Sequence, residues 1–149
     1  MALFDKLHHV CIVVEDLELA QANYEMVGVG PWNNLPSFSD MPDLKVPNHE
    51  GFFGLTYKYA TIDSGLQIQL CQPGPEDTPQ RRFLEKTGGG VYHLGFDVDN
   101  LDVAQEISKG IELSVQASGR REDGSGFIYF DTKESVGVLL EVRKSRTLD

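Results

Sequence analysis

"HHVCIVVEDLELAQ" (residues 8–21) is written again, 84 positions on, as "YHLGFDVDNLDVAQ" (residues 92–105). His9, Val14, Leu17, Ala20 and Gln21 fall on His93, Val98, Leu101, Ala104 and Gln105, five identities in fourteen positions. A repeat of this length is a whole supersecondary unit, longer than the period of a solenoid. Each copy opens with apolar side chains at period two, the pattern of a strand. A helix-capping residue follows, Asp16 in the first copy and Asp99 or Asn100 in the second, with helices starting at Leu17 and Leu101 and ending near Gly28 and Gly110.

Three further strand-like segments follow in each copy. In the first they are about Gly30 to Leu35, Leu55 to Ile62 and Leu66 to Gln72; in the second, Ile111 to Ala117, Gly126 to Asp131 and Val138 to Arg143. The last strands correspond at a shift of 72, "SGLQIQL" over "VGVLLEV", which puts Gly65 on Gly137 and Gln69 on Glu141. The smaller shift leaves about 12 extra residues in the first copy, in the Pro, Asp and Gly-rich connection between Pro36 and Gly54. In "TPQRRFLEKTG", Thr78 is a cap, Pro79 a first helical residue and Gly88 a stop, so a helical linker joins the copies. The pattern predicts an α+β fold of two βαβββ repeats in one domain, 1–149: repeat one about 5–73, linker about 77–88, repeat two about 90–145.

Strand alternation sorts side chains onto two faces. Val10, Ile12 and Val14 share one face of the first strand and His9, Cys11 and Val13 the other; in its repeat Leu94, Phe96 and Val98 lie opposite His93, Gly95 and Asp97. The last strands divide likewise, Leu66, Ile68 and Leu70 against Gln67, Gln69 and Cys71, and Val138, Leu140 and Val142 against Leu139, Glu141 and Arg143. One face of each strand suits packing under a helix. The other carries one strong donor: His9, Gln69, His93 and Glu141. A single histidine on a strand is ordinarily a satisfied polar residue. Four donors at equivalent positions of two copies point instead to one divalent ion, with Mn, Co, Ni, Fe and Zn all acceptable to two imidazoles, an amide oxygen and a carboxylate. His8 falls on the wrong face, and His49 lies in the long connection, where exposure is expected.

The chain is of ordinary globular composition, 40% hydrophobic and 24% charged, with a net charge of −10. That charge argues against nucleic acid and anionic membrane surfaces, which recruit clustered Lys and Arg. No apolar run is long enough to span a membrane and no signal peptide is evident, which predicts a cytoplasmic protein. Cys11 and Cys71 have no zinc-type spacing and are expected as reduced thiols. Arg81 with Arg82, and Arg120 with Arg121, are local basic spots able to meet a phosphate or carboxylate.

The doubled strand, helix and three strands with this donor pattern resemble the vicinal oxygen chelate superfamily of glyoxalases, bleomycin resistance proteins and extradiol dioxygenases, from Leu7 to Val142. "FLEKTGGGVYHLGFDVDNLD" is most similar to the methylmalonyl-CoA epimerase branch. The resemblance implies curved mixed sheets making a cleft around one metal, with "LHHV" supplying His9, "LQIQL" Gln69, "VYHLGF" His93 and "GVLLEV" Glu141, and it implies a homodimer. The chain departs from that branch in having Tyr92 before His93, in the 36–54 insertion, and in lacking a carboxylate on the third strand, "LTYKYATID", where a second base is expected. Tyr57, Lys58, Asp97 and Glu50 are the available substitutes.

A divalent ion holding two substrate oxygens stabilises an enolate, so proton transfer beside a carbonyl is the expected chemistry, with Glu141 as base. The leading expectation is a metal-dependent epimerase or isomerase of a small carbonyl compound, an acyl-CoA such as methylmalonyl-CoA, whose phosphates Arg81, Arg82, Arg120 and Arg121 would meet. Tyr57 and Lys58 are further substrate-binding candidates. The alternatives are a glyoxalase I-like lyase acting on a thiol adduct and a non-enzymatic antibiotic-binding protein. Phe52 and Phe53 mark the 36–54 loop as a lid or pocket wall, or as a surface excursion.

Overall fold

In a computed structural model of the chain, residues 2–146 are described; residues 1 and 147–149 of the expected 1–149 domain lie outside them. The elements in order are β1 (Leu7–Val13), α1 (Leu17–Met26), β2 (Asn33–Asn34), a 3-10 turn (Phe38–Asp40), β3 (Asp43–Lys45), α2 (His49–Phe53), β4 (Thr56–Thr61), β5 (Gln67–Gln72), α3 (Pro79–Thr87), β6 (Gly90–Asp97), α4 (Leu101–Gly110), β7 (Val115–Arg120), β8 (Gly126–Phe130), α5 (Lys133–Val136) and β9 (Leu139–Lys144). They fall into two compact units. The first comprises residues 9–37 and 48–92, and the second the described residues of 1–8, 38–47 and 93–149. Among the described residues no helix is long and apolar enough to cross a membrane.

In the first unit the strands run in the order β2, β4, β5, β1. β5 pairs antiparallel with β4 and parallel with β1, in a register that sets His9 opposite Gln67 and Cys11 opposite Gln69. Asp16 starts α1 by accepting from the Leu19 amide at 3.0 Å, satisfying one of the donors a helix N-terminus leaves open. Leu17 is the buried residue of α1, and Leu19, Met26 and Val27 stay exposed. α3 forms as the sequence predicts: Thr78 Oγ1 accepts from the Arg81 amide at 3.0 Å, Pro79 opens the helix, and Gly88 closes it in the left-handed region at φ 80°.

The second unit repeats the scheme, with β6, β9, β8, β7 and β3 in order and β6 parallel to β9. Asn100 is the cap of α4, accepting from the Val103 amide at 3.1 Å, which settles the choice the sequence left open. The helix-side face carries the core: Leu3, Val98, Leu101, Ala104, Ile128, Phe130 and Val142, with Phe4, Ile107 and Leu113 packed against it. Removing this apolar area from water is the main stabilising term.

Two expected segments differ. The Gly30–Leu35 strand contracts to Asn33–Asn34, pairing with Tyr59 and Lys58 of β4, because Gly30 and Pro31 interrupt the run before it. The 36–54 connection is structured: its β3 pairs antiparallel with β7, Asp43 opposite Arg120 and Lys45 opposite Ser118, and α2 follows, capped by Asn48. Residues 38–47, written in the first repeat, thus belong to the second unit's sheet. The 111–117 strand begins later than expected, at Val115, after the turn that closes α4.

Gly126 has φ 147°, and a Cβ there would run into the Gly119 carbonyl oxygen and lie 2.9 Å from its carbon. Because the obstruction is backbone, Gly126→Ala should lower stability by about 1–3 kcal/mol, read as a lower midpoint in urea; an unchanged midpoint would show that β7 and β8 can part freely. Cys11 and Cys71 are fully buried thiols outside any disulfide, and burial pushes the Cys71 thiol up to about 12, against a hydrogen bond with Tyr57 that lowers it. The folded state therefore holds its proton while the unfolded chain loses it, so this contribution to stability is complete below pH 9 and is lost as the pH rises from 9 to about 12. Native protein at pH 8 should resist thiol reagents that label the urea-unfolded chain at both cysteines, and rapid native labelling of Cys71 would contradict its burial.

Candidate metal and proton-transfer site

The parallel pairing of first and last strands decides where the predicted donors stand. Cross-strand neighbours share a face, so His9, Cys11, Gln67 and Gln69 project from one side of the first unit's sheet. In the second unit, where His93 lies opposite Leu139 and Gly95 opposite Glu141, His93 and Glu141 do the same. The two registers are equivalent. In each unit the oxygen donor sits beside the residue two beyond the histidine, Cys11 in one case and Gly95 in the other.

His93 Nε2 and Glu141 Oε1 are 3.3 Å apart, with both side chains buried. The Tyr129 ring lies tilted against the imidazole, centroids 5.0 Å apart, and Tyr129 is the cross-strand neighbour of Glu141. In the first unit His9 and Gln69 are also buried. Gln69 Nε2 donates to Gln67 Oε1 at 3.1 Å, which turns the amide oxygen of Gln69 to the other side as the atom it can offer a cation. Each unit therefore presents one imidazole and one oxygen donor on a buried face, a chemistry that fits a borderline divalent ion. Gln67 and Tyr129 were not singled out in the sequence. The signal for Gln67 was its place two residues before Gln69 on the donor face. For Tyr129 only the register carries it.

The remaining candidates are engaged elsewhere. Arg81 pairs with Glu85 along α3 at 2.9 Å, and Arg82 with Asp77, just before the α3 cap, at 2.7 Å. Arg120 reaches Asp102 at 2.9 Å and Gln105 at 3.1 Å on α4, and Arg121 reaches Asp40 at 3.1 Å. Lys58 donates to Gln21 Oε1 of α1 at 2.9 Å, on the helix side of its sheet. Asp97 accepts from Arg143 Nη1 at 2.6 Å, and Tyr57 is buried against Cys71. The Phe52–Phe53 pair divides across α2, Phe52 fully buried and Phe53 exposed, while His49 is exposed as expected, its ring against Phe53.

Comparison with known proteins adds a lineage to this geometry. The chain is 28% identical over 146 residues to the ethylmalonyl-CoA/methylmalonyl-CoA epimerase of Cereibacter sphaeroides, covering 95% of this chain and 99% of that one. It is 25% identical over 150 residues to human mitochondrial methylmalonyl-CoA epimerase, with 94% of this chain and 74% of the relative covered. Among solved structures, methylmalonyl-CoA epimerase from Mycobacterium tuberculosis superposes with a TM-score of 0.77 at 23% identity, covering 99% of this chain and 93% of that one. A point variant of Streptomyces coelicolor methylmalonyl-CoA epimerase, in complex with 2-nitronate-propionyl-CoA, gives a TM-score of 0.72 at 23% identity, covering 98% and 100%. These superpositions establish the glyoxalase-like fold. Residues 8–130 match the model of the Glyoxalase/Bleomycin resistance protein/Dioxygenase superfamily, and the chain belongs to that superfamily.

Proposed function

We propose that the chain is an epimerase that moves a proton beside the carbonyl of an acyl-CoA, methylmalonyl-CoA being the leading substrate. One divalent ion would be held by His9, Gln69, His93 and Glu141. The observation that carries this reading is the equivalent placement of an imidazole and an oxygen donor in each repeat. His9, Gln69, His93 and Glu141 are each buried, as ligands shielded from bulk water would be. A relative matched along 99% of its length is an ethylmalonyl-CoA/methylmalonyl-CoA epimerase, which supports the substrate class.

A divalent ion bound there supplies positive charge next to the carbonyl oxygen on which negative charge builds as the proton leaves. Glu141 would be the base: once displaced from the ion or from its bound water, its carboxylate, buried beside His93 and Tyr129, would take the proton from the carbon between thioester and carboxylate. Burial excludes the water that would compete for that proton. Epimerisation needs a second group on the opposite face. Of the four sequence candidates, Lys58 and Asp97 hold close polar partners and Tyr57 is buried against Cys71. Glu50, exposed in the first turn of α2, is the carboxylate this proposal assigns to that role. The arginines would exchange their present carboxylate partners for CoA phosphates. The two buried thiols suit the reducing cytoplasm, and Leu19 and Met26 on α1, with Val27 at its end, offer apolar surface that a second copy would cover in a homodimer.

With Co-loaded protein in deuterated water, mass spectrometry should show solvent deuterium entering methylmalonyl-CoA, and Glu141→Ala should lower that rate by about a hundredfold or more. Glu50→Gln should leave exchange into one epimer while interconversion of the two stops. Stoichiometric metal with no exchange into any acyl-CoA would reject the epimerase reading and favour lyase chemistry on a thiol adduct.

A further inference from the structure

We propose that Tyr129 is a positioning residue, whose ring rather than hydroxyl fixes the imidazole plane of His93, and that Phe127 and Phe38 back it from behind. The assignment rests on the reading of His93 as a metal ligand.

Four rings form a continuous row within the second unit. The His93 and Tyr129 centroids are 5.0 Å apart with planes inclined at 36°, Tyr129 and Phe127 are 4.7 Å apart at 43°, and Phe127 and Phe38 are 5.3 Å apart at 59°. Tyr129 and Phe127 stand two residues apart on β8, hence on one face, and the register with β9 makes that the face of Glu141. His93, Tyr129 and Phe127 are all buried, so solvent does not compete for these contacts. An imidazole that ligates a metal must present one nitrogen along a narrow direction, and whatever fixes its ring plane sets affinity. Here a flat neighbour lies over the ring, and the same residue stands beside the carboxylate 3.3 Å from it. One residue therefore stacks on one donor of this unit and stands opposite the other in the strand register.

The row ends on a segment from the other repeat. Phe38 opens the 38–47 part of the insertion, and Asp40, in the same 3-10 turn, is held by Arg121 at 3.1 Å and by Arg146. β3 then continues the insertion along the sheet edge. The insertion thus has a function in this account beyond closing an edge: it keeps Phe38 on Phe127, which keeps Tyr129 on His93.

The test is a Co(II) titration followed by visible absorption, paired with NMR of the His93 ring protons in the metal-free protein. Tyr129→Phe should bind Co(II) within about twofold of wild type with the same visible band and the same upfield His93 resonances. Tyr129→Leu should lose about tenfold in affinity, shift the band and move the His93 resonances downfield. Phe127→Leu should weaken binding in the same sense by a smaller factor, and it carries the test if Tyr129→Leu does not fold. Wild-type affinity and resonances in both leucine variants would overturn the proposal, as would a Tyr129→Phe variant as damaged as Tyr129→Leu, which would assign the effect to the hydroxyl. If wild-type protein binds no Co(II), the metal reading fails, and the metal-free resonances still decide whether the Tyr129 ring orients His93.

Discussion

Parallel pairing of the first and last strand of each repeat, β1 with β5 and β6 with β9, is the constraint on which the rest depends. A parallel register makes side chains at paired positions share a face, so a histidine on one strand and an oxygen donor on the other reach the same buried side. The opposite side is left for the helix, as the Val98, Leu101, Ala104 and Val142 core of the second unit illustrates. A slip of one residue would turn Glu141 to the helix side and bring Val142 to the donor side. The apolar pattern that drives folding thereby also holds the candidate chemistry in register.

Legibility in the sequence followed the strength of the local signal. α3 appeared at its expected bounds because cap, N-terminal proline and left-handed glycine all agree at Thr78, Pro79 and Gly88. β4, β5, β8 and β9 lie close to the expected spans because each is a short apolar-rich run bounded by turn residues. The Gly30–Leu35 strand nearly vanished, since a proline cannot donate to a ladder and the segment has only β4 to lean on. The pairing of β3 with β7 had no local signature at all. Asp43, Leu44 and Lys45 show no run of β-formers, and their partners Arg120, Gly119 and Ser118 lie far away in the chain. Only tertiary contact makes that strand.

The donors were legible through repetition. A lone buried histidine says little, but the recurrence of His9 as His93 and the match of Gln69 to Glu141 separated them from His8 and His49. Their supporting residues were not, because support is a matter of register and ring geometry. Gln67 turns the Gln69 amide, yet the position matching it in the second copy is Leu139. Tyr129 does have a structural counterpart, since Tyr59 stands opposite Gln69 as Tyr129 stands opposite Glu141. The spacing between those two tyrosines differs from both shifts that align the copies, so only the strand pairing brings them into correspondence. The arginine pairs were legible only in part. Their charge was visible, but Glu85, Asp77, Asp102 and Asp40 already pair with it, and exposed pairs such as Arg82 with Asp77 contribute little to stability.

The central claim is that the donors of both repeats serve one ion. Anomalous diffraction from crystals grown with Co(II), collected at the cobalt edge, tests it most directly. The account predicts one strong peak per chain, within bonding distance of a nitrogen of His9, a nitrogen of His93, the amide oxygen of Gln69 and a carboxylate oxygen of Glu141. A peak held by one repeat's donors alone, or lying away from these four residues, would contradict it.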